Sequence, residues 1–204
     1  MAEINEKEGK LFDLFKLINI NTKTYRHKPL FTVEESQKLR GEIPGTHCKT
    51  LFLKDKKNNF WLVIVSEEKK IDLNSLAKQL NVGRFSFCSP EIMKKILNVE
   101  PGSVTPFAII SDSARNVNIA IDGQMLKSNK LNYHPLHNEA TTTINSKDLI
   151  KFISFLKNPY KIVEVPEKNL WVVYNYGYWY SKSNNYFLYM SRFYNGWTID
   201  RFFS

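Results

Sequence analysis

The chain has 204 residues, 43% of them hydrophobic and 24% charged, a composition that excludes an intrinsically disordered protein. A formal net charge of +9 and a pI near 9.4 favour a polyanionic partner, nucleic acid ahead of a membrane surface, with a solvated Lys-rich surface as the plain alternative. Two cysteines, Cys48 and Cys88, are too few for a disulfide framework. The charged start MAEINEKEGK lacks an apolar signal core, and no apolar run reaches the roughly 18 residues of a membrane span. A cytoplasmic protein with reduced thiols and no membrane partner is expected, and the initiating Met reads as a natural N-terminus.

Leu11, Leu14, Phe15 and Ile18 recur at helical spacing, so an amphipathic helix is expected over 6–19. NTKTYRHK reads as a short strand. Thr32 and Glu35 have capping-box spacing, which starts a short helix that stops at Gly41. EIPGT is a loop. TLFLKD and FWLVIVS are β-rich runs around KDKKNN, the pattern of a hairpin. Asp72 is placed to cap a helix with Leu73, Leu76, Ala77 and Leu80 on one face. Ser89 and Pro90 form an N-cap and first helical position before the stripe Met93, Ile96 and Leu97. PGSVTP is a Gly/Pro-bounded loop leading into FAIIS, read as a strand, and VNIAID is another. LNYHPLH and ATTTI are strand-like, and Ser146 caps a last helix with Leu149, Ile150, Phe152, Ile153 and Leu156 inside. Strands and helices interleave around at least one hairpin, which predicts an α/β domain with a mixed sheet.

After Asn158 the composition shifts. Residues 159–204 are aromatic far beyond the 14% of the whole chain. WVVYNYGYWY and YFLYM, separated by SKSNN, read as a β-hairpin. The expected organisation is therefore a domain over 1–158 and an aromatic-rich extension over 159–204. Three readings of the extension stay open: a hairpin packed on the domain, an RNA-contacting surface in which aromatics act with Lys182, Arg192 and Arg201, or a patch for a partner or a second copy.

The stretch GTHCKTLFLKD sets His47, Cys48 and Lys49 side by side. Adjacent residues in a strand point to opposite faces, and no CxxC, HxxxH or HExxH spacing exists, so no metal site is expected. Cys48 lies between a histidine and a lysine that could lower its pKa, yet an isolated Cys is usually a small buried residue. Lys49 precedes an apolar run, where it can snorkel to solvent or aim a cation into a cleft. The loop Gly102, Ser103, Val104, Thr105, Pro106 can hold backbone amides rigidly toward a ligand, or can be a plain turn before a strand. His134, before Pro135, can bond a ligand hydroxyl or be a satisfied core histidine.

Several of these segments together resemble a known family. YRHKPLFTVEESQKLRGEIPGTHCKTLFLKDKKNNFWLVIV, FSFCSPEIMKKILNVEPGSVTPFAII, VNIAID and YHPLHNEATTTI, in this order and spacing, are similar to the YbaK-type prolyl-tRNA editing domains, over about residues 8–157. Within that family the chain looks most like the freestanding deacylases that clear alanine from mischarged proline tRNA. The resemblance implies a compact α/β fold with a mixed, largely antiparallel sheet and flanking helices. It implies hydrolysis of the ester joining a wrong amino acid to the tRNA 3′-terminal adenosine, without metal or other cofactor. Substrate-assisted attack by water is the implied mechanism, with the ribose hydroxyl taking part. The family's lysine falls on Lys49 as the catalytic residue, its substrate loop on Gly102 to Pro106, and the histidine of its HP motif on His134. His47 and Thr50 frame the lysine as further substrate-binding positions. Thr50 departs from the asparagine usual after the lysine, which puts rate or amino-acid preference in question. Mischarged tRNA(Pro) is the implied partner, with prolyl-tRNA synthetase as a second. The rivals are a non-catalytic tRNA- or synthetase-associated module built on the same fold, and a deacylase for cysteinyl-tRNA(Pro) or another small residue.

Overall fold

The computed structural model describes residues 6–27 and 43–168 in full, and the backbone of four strands between 171 and 202. The helix expected over 32–41 lies outside the described residues. Contacts divide the chain into two compact units: residues 1–69 with 73–165, and residues 70–72 with 166–204.

The first unit is built on an eight-stranded mixed sheet: β1 (Thr22–Arg26), β2 (Thr46–Lys54), β3 (Phe60–Ser66), β4 (Ser86–Phe87), β5 (Asn118–Asp122), β6 (Lys130–Tyr133), β7 (Ala140–Asn145) and β8 (Tyr160–Val163). Its order is β1-β7-β6-β2-β3-β5-β8, with β4 paired to β2. Four pairings are antiparallel, β1–β7, β6–β7, β2–β3 and β2–β4. Three are parallel, β2–β6, β3–β5 and β5–β8. The sheet is thus more evenly mixed than the expected, largely antiparallel one. Four helices flank it among the described residues: α1 (Glu6–Leu17), α2 (Leu73–Gln79), α3 (Pro90–Leu97) and α4 (Ser146–Leu156).

The β2–β3 hairpin closes on Asp55, whose carboxylate accepts from the backbone of Lys57 and Asn59, from Asn59 Nδ2 and from Trp61 Nε1. Along β3, alternation sends Leu62 and Ile64 to one side and Val63 and Val65 to the other. All four are fully buried, so the strand is covered on both faces. The larger core joins Leu62 and Ile64 to α1 and α4. At its centre Phe107 stands edge-on to Phe15, Phe152 and Tyr133, with centroids 5.2, 5.7 and 5.6 Å apart.

Two local readings change. FAIIS is a 3-10 turn, Pro106–Ile110, because Thr105 is extended and its Oγ1 caps the Phe107 amide at 3.4 Å, turning the chain at once. α4 starts at Ser146, so the residue outside it is Asn145, extended and bonded through Nδ2 to Asp148. α3 keeps the expected Ser89 cap and Pro90 at its first position.

The sheet continues past the composition shift at 158. Asn158 donates to the carbonyls of Ala114, Arg115 and Val117, and β8 then pairs with β5. Asp122, 1% exposed, accepts from Lys69 Nζ at 3.0 and 3.1 Å and from the Val165 amide. In the second unit, Ile71 bridges Glu167, and β9 (Trp171–Tyr174), β10 (Tyr178–Ser181), β11 (Tyr186–Phe193) and β12 (Gly196–Phe202) form an antiparallel meander. The expected hairpin corresponds to β10–β11, at the middle of four strands rather than alone.

Candidate active site

β2 begins at Thr46, so His47, Cys48 and Lys49 are strand residues whose directions alternate. Gly45 makes that start possible. Its φ is +116°, and a Cβ there would stand 2.9 Å from the Lys130 carbonyl and Cβ. Pairing with β6 sets His47 beside Asn132. Lys49 lies two residues further along β2 on the side of His47, His134 follows the end of β6, and the Glu67 carboxylate acts on both. On the adjoining strand Thr143 donates to Asn132 Oδ1 at 2.6 Å. Next to it Thr141 Oγ1 lies 3.0 Å from His27 Nε2. The hairpin ladder runs on beyond Ser66, with the Glu67 amide donating to His47 O. Glu67 therefore stands across from His47 on the same polar face. Sequence reasoning missed Glu67, Asn132, Thr141, Thr143 and His27; counting back from the hairpin turn would have found Glu67.

Lys49 Nζ donates to the Glu67 carbonyl at 2.8 Å. Partial burial lowers its pKa from the usual lysine value, opposed by the Glu67 carboxylate. His134 is half-buried, and its Nδ1 lies 3.1 Å from the Ala140 carbonyl. Because a carbonyl only accepts, Nδ1 carries the proton and Nε2 is left as an acceptor. Burial pushes the His134 pKa down despite that bond, with His27 and His137 adding to the effect and Glu67 opposing it. At neutral pH the ring is therefore a neutral imidazole.

Thr50 and Cys48 point to the opposite face from Lys49. Thr50 is 8% exposed, and its Oγ1 has no hydrogen-bond partner among the described residues. Cys48 lies against Tyr133, and burial pushes its thiol up to about 12. The lowering considered from its neighbours in sequence does not occur, because His47 and Lys49 face away. A thiol at this value is protonated at neutral pH and is no nucleophile. Among the described residues no three His, Cys, Asp or Glu side chains group as metal ligands. No helix among them is long and apolar enough to cross a membrane.

The 102–106 loop turns at Gly102, φ +85°. Ser103 and Thr105 are buried, and the Ser103 amide is committed to the Glu100 carbonyl. The N–H of half-buried Val104 makes no hydrogen bond among the described residues and can donate to a ligand; Thr105 is fully buried, so its amide is not open to one. None of the described hydrogen bonds joins this loop to Lys49 or His134. Its link to them is Phe107, whose ring meets Tyr133, the residue before His134.

Fold and site together describe an α/β domain that presents a partly buried ammonium and a neutral imidazole. That set suits recognition and cleavage of a polar ester. The aminoacyl-tRNA editing domain model matches residues 27–152, and the chain belongs to this family of aminoacyl-tRNA hydrolases. It is 38% identical over 144 residues to the prolyl-tRNA synthetase associated domain-containing protein 1 of Bos taurus, covering 68% of this chain and 82% of that protein. It is 30% identical over 164 residues to the prolyl-tRNA editing protein ProX of Acetoanaerobium sticklandii, covering 80% and 99%. A solved structure described as a candidate trans-editing enzyme for prolyl-tRNA synthetase superposes with a TM-score of 0.63 at 15% identity, over 81% of this chain and all of that one, and shows the same fold.

Proposed function

We propose that the protein is a trans-editing deacylase that hydrolyses alanyl-tRNA(Pro). The observation that carries this reading is the placement around the Glu67 carboxylate of Lys49, partly withdrawn from water, and His134, whose Nε2 is held as an acceptor. Family membership and the names of two relatives, which refer to prolyl-tRNA, supply the substrate class. An aminoacyl ester is already activated, so positioning and modest electrostatic help suffice. In this reading the Lys49 ammonium neutralises charge near the ester or anchors the terminal nucleotide. His134 Nε2 accepts from a ribose hydroxyl and orients the adenosine. The amide of Val104 meets the carbonyl or the amine of the amino acid. The ribose hydroxyl assists the attacking water, so no side chain has to be a strong base. His47 flanks the same face, while Thr50 points to the other face and does not meet the substrate directly. Alanine against proline is a choice by size, which a small pocket makes sterically. Prolyl-tRNA synthetase, which releases the mischarged product, is the natural partner.

Lys49→Ala tests the reading. Deacylation of alanyl-tRNA(Pro) is expected to fall by about a hundredfold or more, the usual effect of deleting one electrostatic contact to the reacting group. Near-full activity in the folded variant would refute the role given to Lys49.

A further inference from the structure

The carboxylate of Glu8 takes no part in the chemistry above, yet it is fully buried. It sits on α1, whose packing is already supplied by Leu11 and Phe15. Each of its oxygens meets a nitrogen. Oε2 accepts from Arg26 Nη2 at 2.8 Å; Oε1 lies 3.4 Å from His137 Nε2, and neither of those last two buried atoms has a hydrogen-bond partner among the described residues. A carboxylate is withdrawn from water at such cost only where a partner holds it, and here that partner is Arg26.

Both neighbours of the carboxylate adjoin the turn that carries His134: Arg26 from the paired strand, His137 from within the turn. The Glu139 amide donates to His137 Nδ1 at 3.2 Å, so the proton of a neutral His137 ring is on Nε2, the atom that faces Glu8. Arg26 pairs in register with Ala140, whose carbonyl receives His134 Nδ1–H. The His27 amide donates to the Glu139 carbonyl at 3.0 Å. Inside the turn Leu136 has φ +72°, a conformation that leucine holds only when its surroundings enforce it.

The geometry points to Glu8 as a positioning residue: through His137 and Arg26, its carboxylate fixes the 134–139 turn so that His134 presents Nε2 to the substrate. Glu8 and Arg26 lie on the side of the sheet opposite Lys49, so the turn is braced from behind while its front stays open. The titratable groups around His134 are His27, His137 and Glu67, and Glu8 acts on it only through the turn. The inference rests on the substrate role of His134 proposed above, but half of its test uses the substrate-free protein.

In the full chain, Glu8→Gln removes the charge and keeps the shape. The expected result is a fall in kcat of about tenfold with KM changed by less than about twofold, the pattern of a displaced orienting group. Histidine 15N NMR of the free protein should show the parent His134 as a single Nδ1–H tautomer and the variant as a mixture. His137→Asn keeps an acceptor for the Glu139 amide and deletes only the arm toward Glu8. It should give the same two effects, and it decides the matter if Glu8→Gln does not fold. Ile18→Val, a core change, should leave the tautomer of the parent. A folded Glu8→Gln or His137→Asn that keeps the single Nδ1–H tautomer overturns the inference. If the parent hydrolyses no mischarged tRNA, the functional reading falls and the NMR result alone decides this one.

Discussion

His134→Ala removes an acceptor whose chemistry is closely constrained. Nδ1–H is committed to Ala140 O at 3.1 Å, so any bond to substrate uses Nε2. Deleting it leaves a ribose hydroxyl unpaired in a partly buried site, at about 1–3 kcal/mol. At about 1.4 kcal/mol per factor of ten, kcat/KM should fall roughly 5- to 140-fold. Single-turnover deacylation of alanyl-tRNA(Pro), followed from about pH 5 to 8.5, reads both the loss and its protonation state. The neutral ring is the active form, and burial sets its pKa below 6.5. The parent should therefore hold its rate at neutral pH and lose it only as the pH falls below about 6.5, through a limb absent from His134→Ala. A parent limb centred at or above about 6.5, or a variant within about twofold of the parent, would refute the assignment.

Two further predictions concern stability and the thiol. Asp122→Ala leaves the Lys69 ammonium buried without its carboxylate, so unfolding free energy should drop by about 3–5 kcal/mol and the melting temperature by roughly 6–20 °C. Thermal denaturation checks this, and a loss under about 1 kcal/mol would contradict it. Cys48, pushed up to about 12 by burial, should resist iodoacetamide at neutral pH in the native protein and react only in denaturant. Rapid native labelling, located by mass spectrometry, would count against the protonated, half-buried thiol.

Much of the framework was legible because local spacing controls it. Leu11 and Phe15 at i, i+4 specify the buried side of α1, and KDKKNN closes the β2–β3 hairpin as read, with Asp55 folded over the turn. FAIIS was misread because a five-residue apolar run does not distinguish a strand from a buried turn; the Thr105 hydroxyl decides it. The parallel pairings, β2–β6 above all, join segments some 85 residues apart in sequence, and no local pattern encodes them. That register sets the strand of Lys49 beside the strand that leads into His134. The resemblance identified both residues, but not their neighbours Glu67 and Asn132. Glu8 was the least legible. In EKEGKLFDLF it looks like one more exposed helix charge, and only Arg26 and His137, brought from distant segments, give it a buried role.

Hydrolysis of a panel of aminoacylated proline tRNAs by the purified full chain tests the central claim most directly. Alanyl-, cysteinyl- and seryl-tRNA(Pro) would be compared with prolyl-tRNA(Pro) as control, alongside Lys49→Ala. Fast release of alanine, slower release of the other two, intact prolyl-tRNA(Pro) and an inactive variant are predicted. Preferential release of cysteine would move the substrate assignment to cysteinyl-tRNA(Pro). No hydrolysis of any member would contradict the enzymatic reading and leave a binding module built on the editing fold.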